Sequence, residues 1–245
     1  MLYWYAKISF RGVTGMFNIR VADVVCAIDN KYDYIEKMCR KYTTDAPAAY
    51  TFSVTDDEIM AENDSNEGFP PEYLETLAIY RKLNDKLAPL NVFLIHGVLM
   101  DADGHGILLC AESGTGKTTH SSLWLRLLGE RCRIINGDKP LIRVIDGIPY
   151  GYGTPWCGKE NININDKVVL TDICFLERSQ DNFASELPLS AVTPKLFPAL
   201  HLPDGESSTH VLDSINAMAK KIKFWRIGCN MDISAAETVY NAIMK

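Results

Sequence analysis

A glycine-rich stretch at residues 111–120, AESGTGKTTH, carries the residue types that bind phosphate groups. Most of it matches the pattern G-x-x-x-x-G-K-[ST], in which main-chain N–H groups surround a phosphate at the start of a helix. Lys117 would place a positive charge at the β- and γ-phosphates, and Thr118 would offer its hydroxyl to Mg²⁺. Ala111 stands where the pattern has glycine, which we expect to be tolerated unless the backbone there needs a positive φ. The stretch therefore predicts a nucleotide-binding loop.

The whole loop, and not the lysine alone, is predicted to bind the nucleotide. Gly114 and Gly116 allow the tight backbone path that a close approach to phosphate requires. An apolar run, ILLC, precedes the loop and a helical pattern follows it, which is the structural context that the motif needs. The residues predicted to bind the nucleotide are Ser113, Gly114, Thr115, Gly116, Lys117, Thr118 and Thr119.

An acidic residue at the end of the next apolar run would complete a site for phosphoryl transfer. The run RIINGD ends on Asp138. Phosphoryl transfer needs a carboxylate near the metal ion or the attacking oxygen. We predict that Asp138 holds Mg²⁺ together with Thr118. The alternative is a turn aspartate that merely precedes Pro140.

A second glycine-rich segment, YGYGTPWCGKE at 150–160, follows a predicted hairpin. Lys159 could stabilise negative charge on a transferred phosphoryl group. Glu160 could reach the metal ion. Trp156 has two interpretations: it stacks on a base or a peptide, or it fills a tight buried turn. We predict Lys159 as catalytic and Glu160 as a metal ligand.

The elements around these motifs predict an α/β protein in two parts. Residues 1–68 contain several β-like runs and predict a small β-rich module, whereas residues 69–245 predict the nucleotide-binding core. After Asp138 the chain makes a hairpin where a simple βαβ crossover would place a helix, which favours a mixed β-sheet. The acidic segment TDDEIMAENDSNEG predicts a solvated loop.

Composition excludes several classes of partner. The net charge is −6, from 25 basic and 31 acidic residues, so the chain has no general attraction for nucleic acid or anionic membranes. No apolar run approaches the roughly 18 residues of a membrane span, and the N-terminal residues do not resemble a signal peptide. The seven cysteines include no C-x-x-C pair, which argues against a disulfide framework or a zinc site. We expect a cytoplasmic protein.

The segment IHGVLMDADGHGILLCAESGTGKTTH closely resembles the core of HPr kinase/phosphorylase, the bacterial family that phosphorylates a serine of the carrier protein HPr. Its SGTGKTT is also similar to the loop of ATP-dependent phosphoenolpyruvate carboxykinases. The resemblance covers about residues 92–178. It implies a P-loop core of the phosphoenolpyruvate carboxykinase/HPr kinase type that uses ATP and Mg²⁺. It also implies a protein or peptide serine as acceptor and a catalytic role for His96 beside Asp138.

The sequence departs from this family at one catalytic position. The family ends the relevant strand with two consecutive aspartates, the first of which serves as base, and here the pair is Gly137 and Asp138. The first interpretation is a serine kinase in which His96 and Asp138 handle the acceptor hydroxyl. The second is a nucleotide-binding regulatory protein without turnover. The third is a relative of the small-carboxylate kinases and carboxykinases.

Overall fold

The computed structural model describes residues 15–63, 68–203 and 205–244. The chain divides into two compact units, one comprising the chain up to Arg20 with Val24–Lys82, and the other Val21–Asp23 with Leu83–Lys245. The predicted boundary at residue 68 stays a prediction. The segment LYWYAKISF, one of the β-like runs predicted within residues 1–68, lies outside the described residues.

The first part of the chain forms a small three-stranded sheet and three helices. The strand order is β1-β2-β3, with β2 and β3 parallel. The elements are β1 (Met16–Val21), β2 (Val24–Asp29), α1 (Asp33–Met38), β3 (Tyr50–Ser53), α2 (Asp56–Ala61) and α3 (Pro71–Leu87). Helix α3 begins at Pro71 and buries Leu74, Leu83 and Leu87.

Helix α2 corrects the prediction of a solvated loop for the acidic segment. The Thr55 side chain accepts the N–H of Glu58, and the Glu58 side chain accepts the N–H of Thr55, which is a capping box. The three acidic residues of the first turn also lie at the positive end of the helix dipole. These local interactions favour a helix that the average polarity of the segment does not indicate.

The second part of the chain forms a large mixed sheet covered by helices. Its strands are β4 (Val92–Ile95), β5 (Val98–Ala102), β6 (His105–Cys110), β7 (Cys132–Asn136), β8 (Leu141–Ile145), β9 (Ile148–Tyr152), β10 (Lys167–Arg178), β11 (Phe183–Glu186), β12 (Leu200–His201) and β13 (Lys223–Cys229). Its helices are α4 (Lys117–Leu128), α5 (Thr193–Leu196), α6 (Glu206–Ala219) and α7 (Ile233–Ile243). Within the described ranges, no helix combines the length and apolarity needed to cross a bilayer.

The strand directions bring several strand ends to one edge of this sheet. The order is β12-β4-β8-β9-β10-β6-β5-β7, and β13 pairs with β10 and β11. Strand β10 is parallel to β6 and β13, while β5 is antiparallel to both β6 and β7. The carboxyl ends of β6, β7, β10 and β13 therefore lie at the same edge, as does the start of β5. The predicted mixed sheet is confirmed.

Strand β10 is one long strand that contains both KVVL and ICFLE, with an irregularity between Leu170 and Asp172. The irregularity lies where β10 changes partner from β9 to β6. The alternating segment NINI, just before β10, makes an isolated bridge between Asn136 and Asn163.

Apolar layers cover both faces of the sheet. Alternate residues of β6 point to opposite faces: Ile107 and Leu109 belong to one cluster, and Leu108 to the other. Helices α4 and α7 cover the first face, with Trp124 fully buried. Helix α6 covers the second face. Helix α4 is thereby held with its first residue directly after the glycine-rich loop.

Helix α4 also buries a histidine. His120 is 2% exposed, and neither of its ring nitrogens has a hydrogen-bond partner among the described residues. Burial lowers the pKa of His120 to about 4. The folded state therefore favours the neutral imidazole, and His120 lies in the packed layer beneath the helix surface.

We expect His120 to make the protein less stable in acid. Its folded pKa of about 4 lies below the ordinary value of 6.5, so the unfolded state takes up a proton first as the pH falls. The free energy of unfolding is therefore full above pH 6.5 and falls as the pH drops from 6.5 to 4. Between pH 7 and pH 4 the loss amounts to about 3 kcal/mol of unfolding free energy. Urea denaturation of His120→Leu should lack this loss, whereas the exposed control His210→Leu should retain it. Equal pH dependence of the unfolding free energy in wild type and His120→Leu would contradict the assignment of this loss to His120.

Candidate functional site

The loop between β6 and α4 follows the predicted path. Gly114 has a φ of 77° and Gly116 a φ of 118°, a region that disfavours residues with a Cβ. Ala111 is not among the residues with positive φ, so alanine is tolerated there as expected. Gly116 caps α4 without a side chain. The first N–H groups of a helix have no intrahelical partner, so this end of α4 presents donors to a ligand.

Lys117 extends back along this loop. Its ammonium donates a hydrogen bond to the main-chain oxygen of Ala111 (2.8 Å). Burial lowers the pKa of Lys117, and the nearby negative charge of Asp138 acts in the opposite direction. Asp138 therefore lies close enough to Lys117 for their charges to interact. Of the other predicted nucleotide-binding side chains, Ser113, Thr118 and Thr119 are exposed.

Arg178 is a residue of this loop environment that the sequence analysis did not identify. Its guanidinium donates to the main-chain oxygen of Gly114 (2.6 Å). Arg178 ends β10, and the parallel pairing of β10 with β6 places it beside the loop. The contact ties the end of β10 to the loop. Only knowledge of which strand neighbours β6 could have revealed it.

His96 and Asp138 come together as the resemblance implied. The Nε2 atom of His96 lies 2.9 Å from Oδ1 of Asp138. The backbone on both sides is also fixed: the N–H of His96 donates to Ala199 (2.6 Å), and that of Gly97 donates to the Asp138 carbonyl (2.9 Å). The imidazole is partly exposed, at 42% of its side-chain surface, so a substrate can reach it.

Asp138 is held in its ionised form. Burial alone would raise its pKa, but the hydrogen bond from His96 and the charge and hydrogen bond of Lys139 outweigh burial and hold the pKa at about 2. The Lys139 ammonium bonds Oδ2, so each carboxylate oxygen has its own donor. Lys139 is a second residue that the sequence analysis missed, because a lysine after a turn aspartate carries no local signal.

Asn136 fixes the turn that carries these two side chains. This fully buried residue accepts the N–H groups of Asp138 (2.9 Å) and Lys139 (2.7 Å) at Oδ1. Its Nδ2 group donates to the carbonyl of Thr154 (3.1 Å), to its hydroxyl (3.0 Å) and to the carbonyl of Trp156 (3.3 Å). The Thr154 hydroxyl in turn donates to the Lys139 carbonyl (2.7 Å). One buried amide thus joins the end of β7 to the second glycine-rich segment.

Main-chain oxygens lie close to the Cα of Gly137. A Cβ atom added to Gly137 would lie 3.1 Å from the Cys157 carbonyl oxygen and 3.4 Å from that of Ile162. The Gly137 N–H itself donates to Ile162 (2.9 Å). Two acceptor oxygens flank the place where a side chain would begin, which disfavours a carboxylate there. The absence of a side chain at Gly137 therefore suits the close approach of these carbonyl oxygens.

The second glycine-rich segment passes directly against Asp138. A Cβ atom on Gly158, whose φ is 77°, would lie 2.9 Å from the Cβ of Asp138. Trp156 is 4% exposed, which agrees with the interpretation of a buried turn and not with stacking on a ligand. Lys159 and Glu160 follow on the exposed side and have no hydrogen bond or ion pair with a described residue. Their predicted catalytic and metal-binding roles stay predictions.

The residues of this site suit a magnesium ion that is bound partly by the phosphate groups of a nucleotide. Among the residues that the structure describes, no group of three or more His, Cys, Asp or Glu side chains could hold a metal ion. Mg²⁺ commonly uses one or two protein oxygens together with phosphate oxygens and water. The Thr118 hydroxyl is exposed and the Asp138 carboxylate is partly so, and their metal-binding roles stay predictions.

Comparison with known proteins supports the resemblance. The HPr kinase/phosphorylase of Clostridium beijerinckii is 41% identical over 76 residues, which are 31% of this chain and 23% of that protein. The HPr kinase/phosphorylase of Clostridium botulinum is 45% identical over 69 residues, which are 28% of this chain and 21% of that protein. The predicted resemblance is thus confirmed, although the match spans less than a quarter of the length of these curated relatives. No protein-family model matches the chain.

A solved structure gives a broader but weaker match. The Hpr(Ser) kinase/phosphatase from Coxiella burnetii aligns with 62% of this chain and 90% of its own chain. The TM-score is 0.37 and the sequence identity is 10%.

We expect Asn136→Asp, an isosteric change, to destabilise the protein strongly. Aspartate keeps the two acceptor bonds but loses the donors and places a carboxylate oxygen against three oxygen acceptors. The unfolding free energy at pH 7 should fall by about 3 kcal/mol. Urea denaturation measures it, with the exposed Asn241→Asp as a control that changes stability by less than about 0.5 kcal/mol. Equal effects of the two changes would contradict the role of Asn136.

Proposed function

We propose that this protein is a kinase that transfers the γ-phosphoryl group of ATP, with Mg²⁺, to a serine hydroxyl of a protein or peptide. The similarity to HPr kinase/phosphorylase supports the reaction class. The observation that carries the proposal is the 2.9 Å contact between His96 and Asp138 beside the loop that holds Lys117. An oriented proton acceptor and a phosphate-binding loop are the two parts that phosphoryl transfer to a hydroxyl requires.

The glycine-rich loop would bind the phosphates in the manner of a P-loop. Main-chain N–H groups from Gly114 to the first turn of α4 would surround them, with Ser113 and Thr119 at the loop's exposed flanks. The Lys117 ammonium, now bonded to a loop carbonyl, would turn to the β- and γ-phosphates. Thr118 and Asp138 would hold Mg²⁺, with Glu160 as a further ligand, and the ion would neutralise phosphate charge.

His96 would accept the proton of the serine hydroxyl. The hydroxyl oxygen forms a bond to the γ-phosphorus as the bond between that phosphorus and the bridging oxygen of ADP breaks. The hydroxyl proton passes to Nδ1 of His96, because Nε2 is bonded to Asp138. Asp138 remains ionised, orients the imidazole and stabilises its protonated form. Lys159 would neutralise charge on the phosphoryl group in flight.

The features of Gly137 favour one alternative function. Because this position lacks the carboxylate of the related kinases, the protein could bind the nucleotide as a regulatory signal without turning it over. The two functions share the phosphate loop and differ in whether the His96–Asp138 pair has a substrate hydroxyl to act on. Phosphate transfer by the wild-type protein distinguishes them.

We expect Lys117→Ala to weaken ATP binding. Loss of a charge-assisted contact to phosphate should lower the affinity by at least about tenfold. Isothermal titration calorimetry with ATP and Mg²⁺ measures it, and Lys220→Met, at the exposed end of α6, is the matched lysine control with unchanged affinity. Wild-type affinity in Lys117→Ala would refute nucleotide binding at this loop.

We expect His96→Gln and Asp138→Asn to slow transfer strongly. His96→Gln should leave ATP binding within about threefold of wild type, and Asp138→Asn, which changes a proposed Mg²⁺ ligand, should retain part of it. Removing a general base or its orienting partner should slow transfer by about a hundredfold or more. Labelled ATP incubated with a cell extract reports transfer, and mass spectrometry identifies the labelled protein. Wild-type rates in both variants would refute the proton-transfer role. A wild-type protein that binds ATP through Lys117 yet labels nothing would instead establish the regulatory function.

A further inference from the structure

Lys139 has a main chain that is fixed from two sides and a side chain directed into the candidate site. Its N–H donates to Asn136 (2.7 Å), and its carbonyl accepts from the Thr154 hydroxyl (2.7 Å). Its ammonium bonds Oδ2 of Asp138, and the side chain is 32% exposed. Nothing in the fold of the turn requires a cation at this position, because Asn136 already satisfies both N–H groups of the turn.

Two lysine ammonium groups act on the carboxylate of Asp138. Lys117 and Lys139 both act on this single carboxylate, and Lys139 lies close enough to contribute to the lowering of the Lys117 pKa, for which burial is the main cause. Two half-buried ammonium groups near one another repel, which costs free energy unless further negative charge enters. A phosphate group, which carries more than one negative charge, is complementary to two such ammonium groups.

We propose that Lys139 is a second phosphate-binding cation, which contacts the terminal phosphoryl group of a nucleoside triphosphate beside Lys117. This inference rests on the proposed function, because it assigns a substrate contact within the same site. Lys139 would neutralise the oxygens of the phosphoryl group as it moves from ADP to the hydroxyl oxygen, while Asp138 retains its bond to His96. The opposite interpretation is that Lys139 only holds Asp138 in place.

The two interpretations differ in how they treat ATP and ADP. A cation that contacts the terminal phosphoryl group strengthens ATP binding and has little effect on ADP binding. A cation that only positions Asp138 affects both nucleotides equally or neither. The ratio of the two affinities therefore separates a substrate contact from a structural one.

The test is calorimetric titration of wild type, Lys139→Met and Lys139→Arg with ATP and with ADP, each with Mg²⁺. We expect Lys139→Met to lower the affinity for ATP by about tenfold and that for ADP by less than about threefold. Lys139→Arg should recover part of the loss, and the surface control Lys220→Met should show none. An unchanged ratio of ATP to ADP affinity in Lys139→Met would overturn the inference.

A second comparison keeps the inference testable if Lys139→Met folds poorly. The double variant Asp138→Asn with Lys139→Met removes both charges of the ion pair, so neither is left without its partner. This double variant is compared with Asp138→Asn alone. We expect the same tenfold loss for ATP in this background, and no loss would overturn the inference. If wild type itself binds neither nucleotide, or binds them independently of Lys117, the proposed function fails as a whole.

Discussion

The buried amide of Asn136 is the constraint on which the candidate site depends. It joins the end of β7 to a segment 18 to 20 residues further along the chain. A carboxylate on a two-residue turn has no preferred direction unless its main chain is fixed. By accepting two consecutive N–H groups, Asn136 sets the direction of both Asp138 and Lys139. The same amide brings the second glycine-rich segment against Asp138 and Gly137.

The mixed direction of the strands explains how His96 reaches this site. In parallel sheets, ligands bind outside the carboxyl ends of the strands. The loop after β6, Asp138 after β7 and Arg178 at the end of β10 all obey this rule. His96 precedes a strand, and it reaches the same edge only because β5 is antiparallel to its neighbours β6 and β7. Because β5 runs in the opposite direction, His96 lies at the edge where the carboxyl ends of β6, β7 and β10 also lie.

Features that depend on local pattern could be predicted from the sequence. The loop, helix α4 and Asp138 at the end of an apolar run follow from glycine spacing and hydrophobic periodicity. Helix α2 escaped prediction because a capping box outweighed its acidic composition. Asn136, Lys139 and Arg178 escaped because their roles depend on contacts between segments distant in sequence. The resemblance identified His96, but its hydrogen bond to Asp138 depends on strand order.

Gly137, where the resemblance leads us to expect an aspartate, bears on the electrostatics of the proposed reaction. Gly137 carries no charge at the strand end, and Lys139 places one positive charge beside the carboxylate of Asp138. In a loose transition state, positioning and charge neutralisation contribute more than full removal of the hydroxyl proton. In the proposed reaction, the carboxylate of Asp138, whose pKa is held at about 2, stays ionised, and His96 supplies the nitrogen that accepts the proton. In the proposed site, Asp138 orients the imidazole of His96, and His96 accepts the proton. Lys117 and Lys139 neutralise the charge of the phosphate groups.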